Sequence, residues 1–358
     1  MISRFVIAAV LASLSTLAIL AQENSVVIGP PRNGDTVVAC GPDGRAFLMH
    51  VPQTPVRGAV PESLLGVSRD GTLVTFQVPE NRQMTLIAAS DGSNLGVLME
   101  DPHLPGHYEI DRFDNQGNLL AQRPLNVDFR PERMAVLPSG KMVLVGVYTP
   151  ADHDSWKNVA AVVDADGQML KRTAFPLPPE GGGWVFDSRR MLGGDDGAYI
   201  MLHSYEPPAT GLAKILEDGN VEIKILPNAP YNDERHHNEW LFGPDVAVEM
   251  YHYVDARERC TFHFDEYDLN TGERTASRYA LLTGGGFACY SGNEASMLAR
   301  ISYGYPAEGI SSDTMRLVFG KLQDQPVSNP VENPRACDCV LRGGDRCPEG
   351  AQGAATKP

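Results

Sequence analysis

The chain is short of positive charge: 30 lysines and arginines stand against 45 aspartates and glutamates in 358 residues, a formal net charge of −15. That deficit removes the electrostatic basis for binding nucleic acid or anionic lipid, since both need a cationic surface. No Gly-x-Ser-x-Gly elbow occurs and no nucleophile-base spacing stands out, so a serine-nucleophile triad has no support. The glycine-rich run Pro178-Pro179-Glu180-Gly181-Gly182-Gly183-Trp184 precedes a strand pattern and does not open a helix, which takes away the context of a phosphate-binding loop. Long runs of like charge are also missing, and an apolar share of 42% fits a globular chain with a filled core.

The amino terminus is built differently from the rest. Met1-Ile2-Ser3-Arg4 leads into an uncharged run from Phe5 to Ala21, followed by the polar Gln22-Glu23-Asn24. This is the layout of a secretory signal peptide over 1–21. The alternative is a retained membrane anchor, for which about seventeen residues is short of the ~20 that a full span needs. No cysteine follows the apolar run, so a lipoprotein is disfavoured. The expected mature chain is secreted or periplasmic and has no membrane span. It loses only Arg4, which takes its net charge to −16. Cys40, Cys260, Cys289, Cys337, Cys339 and Cys347 then enter an oxidising compartment that permits disulfides, and six thiols allow about fifteen full pairings. Zinc at the Cys337-Asp338-Cys339 cluster would need a fourth ligand and a different pair spacing.

What the chain has in abundance is a period. Asp70-Gly71, Asp114-Asn115-Gln116-Gly117, Asp164-Ala165-Asp166-Gly167, Asp218-Gly219 and Asn270-Thr271-Gly272 follow one another at steps of about fifty residues. Gly44, Gly92, Gly140, Gly197, Gly243 and Gly292 interleave with them at a similar spacing. Two hairpin turns per period, each flanked by short apolar runs, make a unit of four strands, the blade of a β-propeller. Val143–Val147 and Val159–Val163 are nearly continuous apolar runs, as expected for strands packed on both faces. Their valine content, brevity and glycine punctuation exclude a helix. The expected fold is all-β, one propeller of six four-stranded antiparallel blades over 22–323, with seven blades as the alternative. Blade six lacks a fourth strand of its own, and Ser25-Val26-Val27-Ile28 is the substitute that closes the ring. Residues 324–358, rich in proline and glycine and carrying three cysteines, read as a flexible tail.

Tyr267-Asp268-Leu269-Asn270-Thr271-Gly272-Glu273-Arg274 resembles the outer-hairpin signature of secreted bacterial propellers with YVTN-like or NHL-like repeats. Leu120 and Leu170, three residues past Gly117 and Gly167, are similar to that pattern too. No copy carries Trp-Asp at a strand end, which disfavours a WD40 identity. Such folds host many chemistries, so the resemblance implies an architecture and transfers no residue role.

The register of the period assigns loops to faces. Tight turns lie on one side of the disc, and the loops between strands two and three, with those between blades, lie on the other. The second face gathers the candidate binding residues His153, Trp156, Trp184, His203, Arg235, His236, His237, Glu239, Trp240 and His252. His236, His237 and Glu239 are the candidate metal ligands, although adjacent residues in extended chain point opposite ways. His103 and His107 stand four apart, but Pro102, Pro105 and Gly106 exclude the helix that would make them face one ion. Asp152, His153 and Asp154 bring carboxylates and an imidazole together as acid-base candidates. The solvated-loop reading stands beside each of these. Two functions follow: an exported, monomeric, non-catalytic propeller binding a small polar molecule, a carbohydrate or a protein partner, or a hydrolase or lyase acting on a sugar or lactone with a divalent metal at the same face.

Overall fold

In the computed structural model the described residues are 24–29, 35–50, 63–78, 83–101, 103–150, 157–178, 182–188, 190–206, 208–226, 239–254, 260–280, 286–292, 294–301 and 314–324. Among them all regular structure is β. The first strand, β1 (Asn24–Gly29), is taken up by the last blade. Blade one is β2 (Asp35–Cys40), β3 (Ala46–His50), β4 (Ser63–Val67) and β5 (Leu73–Phe76). Blade two is β6 (Gln83–Ser90), β7 (Asn94–Glu100), β8 (Tyr108–Asp114) and β9 (Leu119–Leu125). Blade three is β10 (Arg130–Val136), β11 (Met142–Tyr148), β12 (Lys157–Val163) and β13 (Met169–Ala174). Blade four divides its innermost strand into β14 (Val185–Phe186) and β15 (Leu192–Gly194), both paired with β16 (Gly197–Tyr205), and continues with β17 (Pro208–Leu216) and β18 (Val221–Ile225). Blade five is β19 (Glu239–Phe242), β20 (Val246–Val254), β21 (Cys260–Asp268) and β22 (Arg274–Ala280). Blade six is β23 (Gly286–Tyr290), β24 (Glu294–Ile301) and β25 (Thr314–Lys321). Last in the chain, β26 (Gln323–Asp324) adds to the outer edge of β22.

Six antiparallel sheets in a ring make the six-bladed propeller that the glycine period predicts. Innermost strands neighbour one another around the axis: β2 touches β6 and β23, β6 touches β10, β10 touches β15, and β19 touches β23. Alternation along each strand supplies two cores at once. Met142 and Leu144 of β11 pack with Leu98 and Ile110 of blade two. Val143 and Val145, one residue out of phase, pack with Ile200 and Leu202 of blade four. Each such buried side chain contributes about 1.5–3 kcal/mol relative to exposure, which is why the central strands read as unbroken apolar runs.

The outer hairpins turn on a left-handed glycine, in blade five with one residue more in the turn than in the others. Gly71, Gly117, Gly167, Gly219 and Gly272 each donate back to the carbonyl of Ser68, Asp114, Asp164, Leu216 and Asp268, at 2.8–3.1 Å. All five have φ between 71° and 91°, a conformation that costs a side-chain-bearing residue strain. In blades two and three the glycine also tucks under the preceding blade: a Cβ on Gly117 would stand 2.4 Å from the Thr75 carbonyl oxygen, and one on Gly167 would stand 2.1 Å from that of Pro124. The inner hairpins are less uniform. Gly243 has no positive φ, because Gly243 donates to Val246 in a two-residue turn whose centre is Pro244-Asp245.

Closure is double. On the outside, β1 pairs antiparallel with β25, with Val26 opposite Leu317. On the inside, Cys40 at the end of β2 is disulfide-bonded to Cys289 in β23. The predicted N-terminal substitute strand is therefore present. Residues 1–21 and the tail beyond Asp324, with Cys337, Cys339 and Cys347, lie outside the described residues. No helix among the described residues is long and apolar enough to cross a membrane.

Candidate functional site

All six innermost strands contribute to a cavity on the axis, about 1060 Å³ of atom-free space that includes open solvent. Its lining comes from the turn ends of those strands, with Pro42, Asp91, Pro138 and Pro244 at the inner hairpins. Trp240, Leu241 and Met191 supply apolar wall, and Glu239, Asp91 and Arg190 supply charge. A mostly apolar hollow with a few polar groups is the usual form of a small-molecule site.

Arg190 owes its position to the break between β14 and β15. Ser188 holds that break: its Oγ donates to the Arg190 carbonyl at 2.7 Å and accepts from the Met201 N–H at 3.2 Å, while Arg133 Nε donates to the Ser188 carbonyl at 3.0 Å. The Arg190 side chain then leaves blade four for the far side of the ring. Its guanidinium donates to the Val37 carbonyl of blade one at 2.9 Å, to the Ala288 carbonyl of blade six, and to Cys40 Sγ at 2.8 Å. Blades four and one are opposite in a ring of six, so this one side chain spans the axis.

Toward the long loops the clearest group is His203. It lies opposite Val185 in the register of β16 and β14, and its Nδ1 is 3.3 Å from Asp187 Oδ1, with the imidazole 8% exposed. Tyr205 meets its ring edge-on at 4.6 Å. A carboxylate at Nδ1 fixes the ring, as it does in general bases and metal-bound histidines, while both ring nitrogens of His203 are buried.

Other candidates fare differently. Trp184, a candidate binding residue of the long-loop face, is 3% exposed: its indole N–H donates to the Pro176 carbonyl at 3.0 Å, and its ring lies against Gly211, where the missing Cβ leaves room. Trp240 is 5% exposed and packs on Tyr267 at 5.5 Å, yet it also borders the axial cavity with Glu239. His252 sits in β20 opposite Phe262. His103 and His107 are exposed in the turn after β7. Asp152, His153, Asp154, Trp156, Arg235, His236 and His237 lie outside the described residues. Among the described residues no group of three or more His, Cys, Asp or Glu side chains is placed to hold a metal ion.

Sequence reasoning missed the polar seam of blade five. Glu249 and Asp265 face one another across β20 and β21, and both are buried. The Tyr267 hydroxyl donates to Glu249 at 3.1 Å; Tyr251, Ser277 and Arg274 donate to Asp265 at 3.3, 2.5 and 3.3 Å. On the opposite face Glu266 accepts from Arg278 Nε at 2.5 Å and from the Tyr290 hydroxyl. Burial first, and then the adjacent carboxylates, push the Tyr267 and Tyr290 phenols well above the usual range, so both remain donors. The alternation of charged with aromatic residues in 262–267 was the available signal.

The molecule is thus a six-bladed β-propeller with an axial cavity. No family model and no curated protein matches the chain. Among solved structures, it is similar to a protein of unknown function from Dyadobacter fermentans, at 11% identity over 84% of this chain and 98% of that one, with a TM-score of 0.47. The subtype N11 neuraminidase-like protein of A/flat-faced bat/Peru (H18N11) matches at 11% identity over 85% and 92%, with a TM-score of 0.43. Pyrococcus horikoshii acylaminoacyl peptidase matches at 9% identity over 80% of this chain and 52% of that one, with a TM-score of 0.41.

Proposed function

We propose that this chain is an exported, non-catalytic propeller of the secreted bacterial kind with YVTN-like or NHL-like repeats, and that it binds a small ligand on its axis. The carrying observation is the cavity on which all six blades converge. Glu239 and Trp240 belong to its wall, while its rim of Pro42, Asp91, Pro138 and Pro244 stands at the inner hairpins, on the tight-turn side and away from the long-loop face where the binding residues are expected. An apolar wall with carboxylates at two heights suits a small molecule with an apolar body and hydrogen-bond donors. The test is titration of the purified protein against a panel of sugars and aromatic or aliphatic polar molecules, read by tryptophan fluorescence and native mass spectrometry. Pro138→Trp fills the mouth from an exposed position. It is expected to weaken any ligand found by about tenfold or more while moving the melting temperature by only about 1–2 °C. Unchanged affinity in that variant moves the site off the axis.

The second reading, a metal-assisted hydrolase or lyase acting on a sugar or lactone, rests on the His203–Asp187 pair. Elemental analysis of protein purified from metal-replete medium decides it. Stoichiometric calcium, manganese or zinc supports the enzyme, and metal-free protein that also fails to take up these ions on titration removes that version of it.

A further inference from the structure

The Cys40–Cys289 disulfide occupies an unusual place in the ring. Every other pair of neighbouring blades is joined by the chain itself, whereas blades six and one are joined by β1 on the outside and this bond on the inside. Its two sulfurs have different surroundings. Cys40 borders the axial cavity, and its Sγ receives the Arg190 guanidinium at 2.8 Å. Cys289 borders a second, more polar recess at the seam of blades six and one, lined also by Asp43, Arg69, Ser291, Glu294 and Ser296. Carbonyl oxygens lie near both sulfurs, those of Ala39 and Arg45 at 3.9 Å from Cys289 Sγ and that of Ala288 at 3.3 Å from Cys40 Sγ, so the difference between them is the guanidinium. The nearest cation in that recess, Arg69, is paired with Glu294 at 2.6 Å. A thiolate at Cys40 therefore has a guanidinium beside it, whereas the cation in the Cys289 recess is already engaged by a carboxylate.

We propose that this bond is a site of thiol–disulfide exchange, attacked at Cys289 from the recess and leaving from Cys40 toward Arg190, with a low-molecular-weight thiol as co-substrate. The thiolate sulfur bonds to Cys289 Sγ, and the electron pair of the protein S–S bond moves to Cys40, which departs as a thiolate beside the guanidinium. A second thiolate attacks the sulfur of the bound thiol and releases Cys289. Two thiols become one small disulfide, and the protein gains two electrons and two protons. Leaving-group stability sets which sulfur is attacked and how fast, and Arg190 is the group that supplies it. Reduction would also unfasten the inner closure of the ring and one wall of the axial cavity.

The test uses the folded, full-length mature protein with millimolar reduced glutathione and no denaturant. Samples are quenched by alkylation and mapped by peptide mass spectrometry. The expected intermediate carries glutathione on Cys289 and an alkylated Cys40, and it forms faster than the protein unfolds globally, as measured by hydrogen exchange. Arg190→Gln is expected to slow the first step by roughly tenfold, and Arg190→Lys by less. Glutathione found on Cys40, a bond that exchanges only at the global unfolding rate, or an unchanged rate in a folded Arg190→Gln variant would each overturn the proposal. If Arg190→Gln does not fold, the position of the adduct in the unmodified protein decides alone. No axial ligand takes part in the measurement, so its outcome is independent of the binding function.

Discussion

Gly140 and Gly167 share a backbone conformation, φ 82° and 84°, but not a neighbourhood. A Cβ on Gly140 meets nothing within 4 Å, while one on Gly167 collides with the Pro124 carbonyl of the preceding blade. Alanine at 140 is expected to cost about 1 kcal/mol for the left-handed backbone alone. Alanine at 167 is expected to cost about 3 kcal/mol or more, because the blade contact must open as well. Urea titrations of the two variants check the difference, and equal costs would show that the contact between blades carries no weight. Sequence shows both glycines equally well and cannot separate them, since the separating atom belongs to a residue 43 positions away. The burial of Trp184 is illegible for the same reason: its space is made by Gly211, a residue in another strand that no local pattern connects to it. Arg190 has no signature at all, because its partners Val37 and Ala288 stand about 153 and 98 residues off.

Hairpins are the best-read elements of the chain. Asp114 illustrates why: its Oδ1 accepts the backbone N–H groups of Gln116 and Asn118 at 2.8 and 2.9 Å, while Asn118 Nδ2 donates to Oδ2 at 2.9 Å. Such a turn is written in five consecutive residues. These bonds hold the Asp114 carboxyl below its ordinary value, the Asn118 side chain first among the causes; Asp268 is lowered chiefly by the Thr271 N–H, and Asp70 by that of Thr72. A depressed carboxylate contributes stability above its unfolded value of 3.8, and the contribution is lost as pH falls through the lower, folded value. Asp114→Ala is therefore expected to be less stable than the parent at neutral pH, with the gap narrowing steadily below about pH 4. Denaturant midpoints measured from pH 7 downward test this, and a gap independent of pH would contradict it. Gly243 shows the limit of the signal, since it holds its place in the period without filling the same position in its turn.

At the scale of the ring, the period gave the number of blades and the closing strand, because each depends on local turns and apolar runs. It could not give the cavity, which depends on how six separate strand ends meet. Replacing both Cys40 and Cys289 by alanine is expected to cost about 5 kcal/mol, the scale set by a loop spanning 249 positions. Calorimetry of the double variant measures it, and a loss below about 1 kcal/mol would mean that β1 alone holds the ring shut. Deleting residues 24–29 is expected to expose the edge of β25 and produce concentration-dependent association, visible by size-exclusion chromatography. The same pairing orders events during synthesis. Val26 leaves the ribosome about 290 residues before Leu317, its partner. Until blade six emerges the first strand has nowhere to go, and neither has Cys40. The ring can shut only after β25 has appeared, so a nascent chain stalled before it is an open arc with bare edges at both ends.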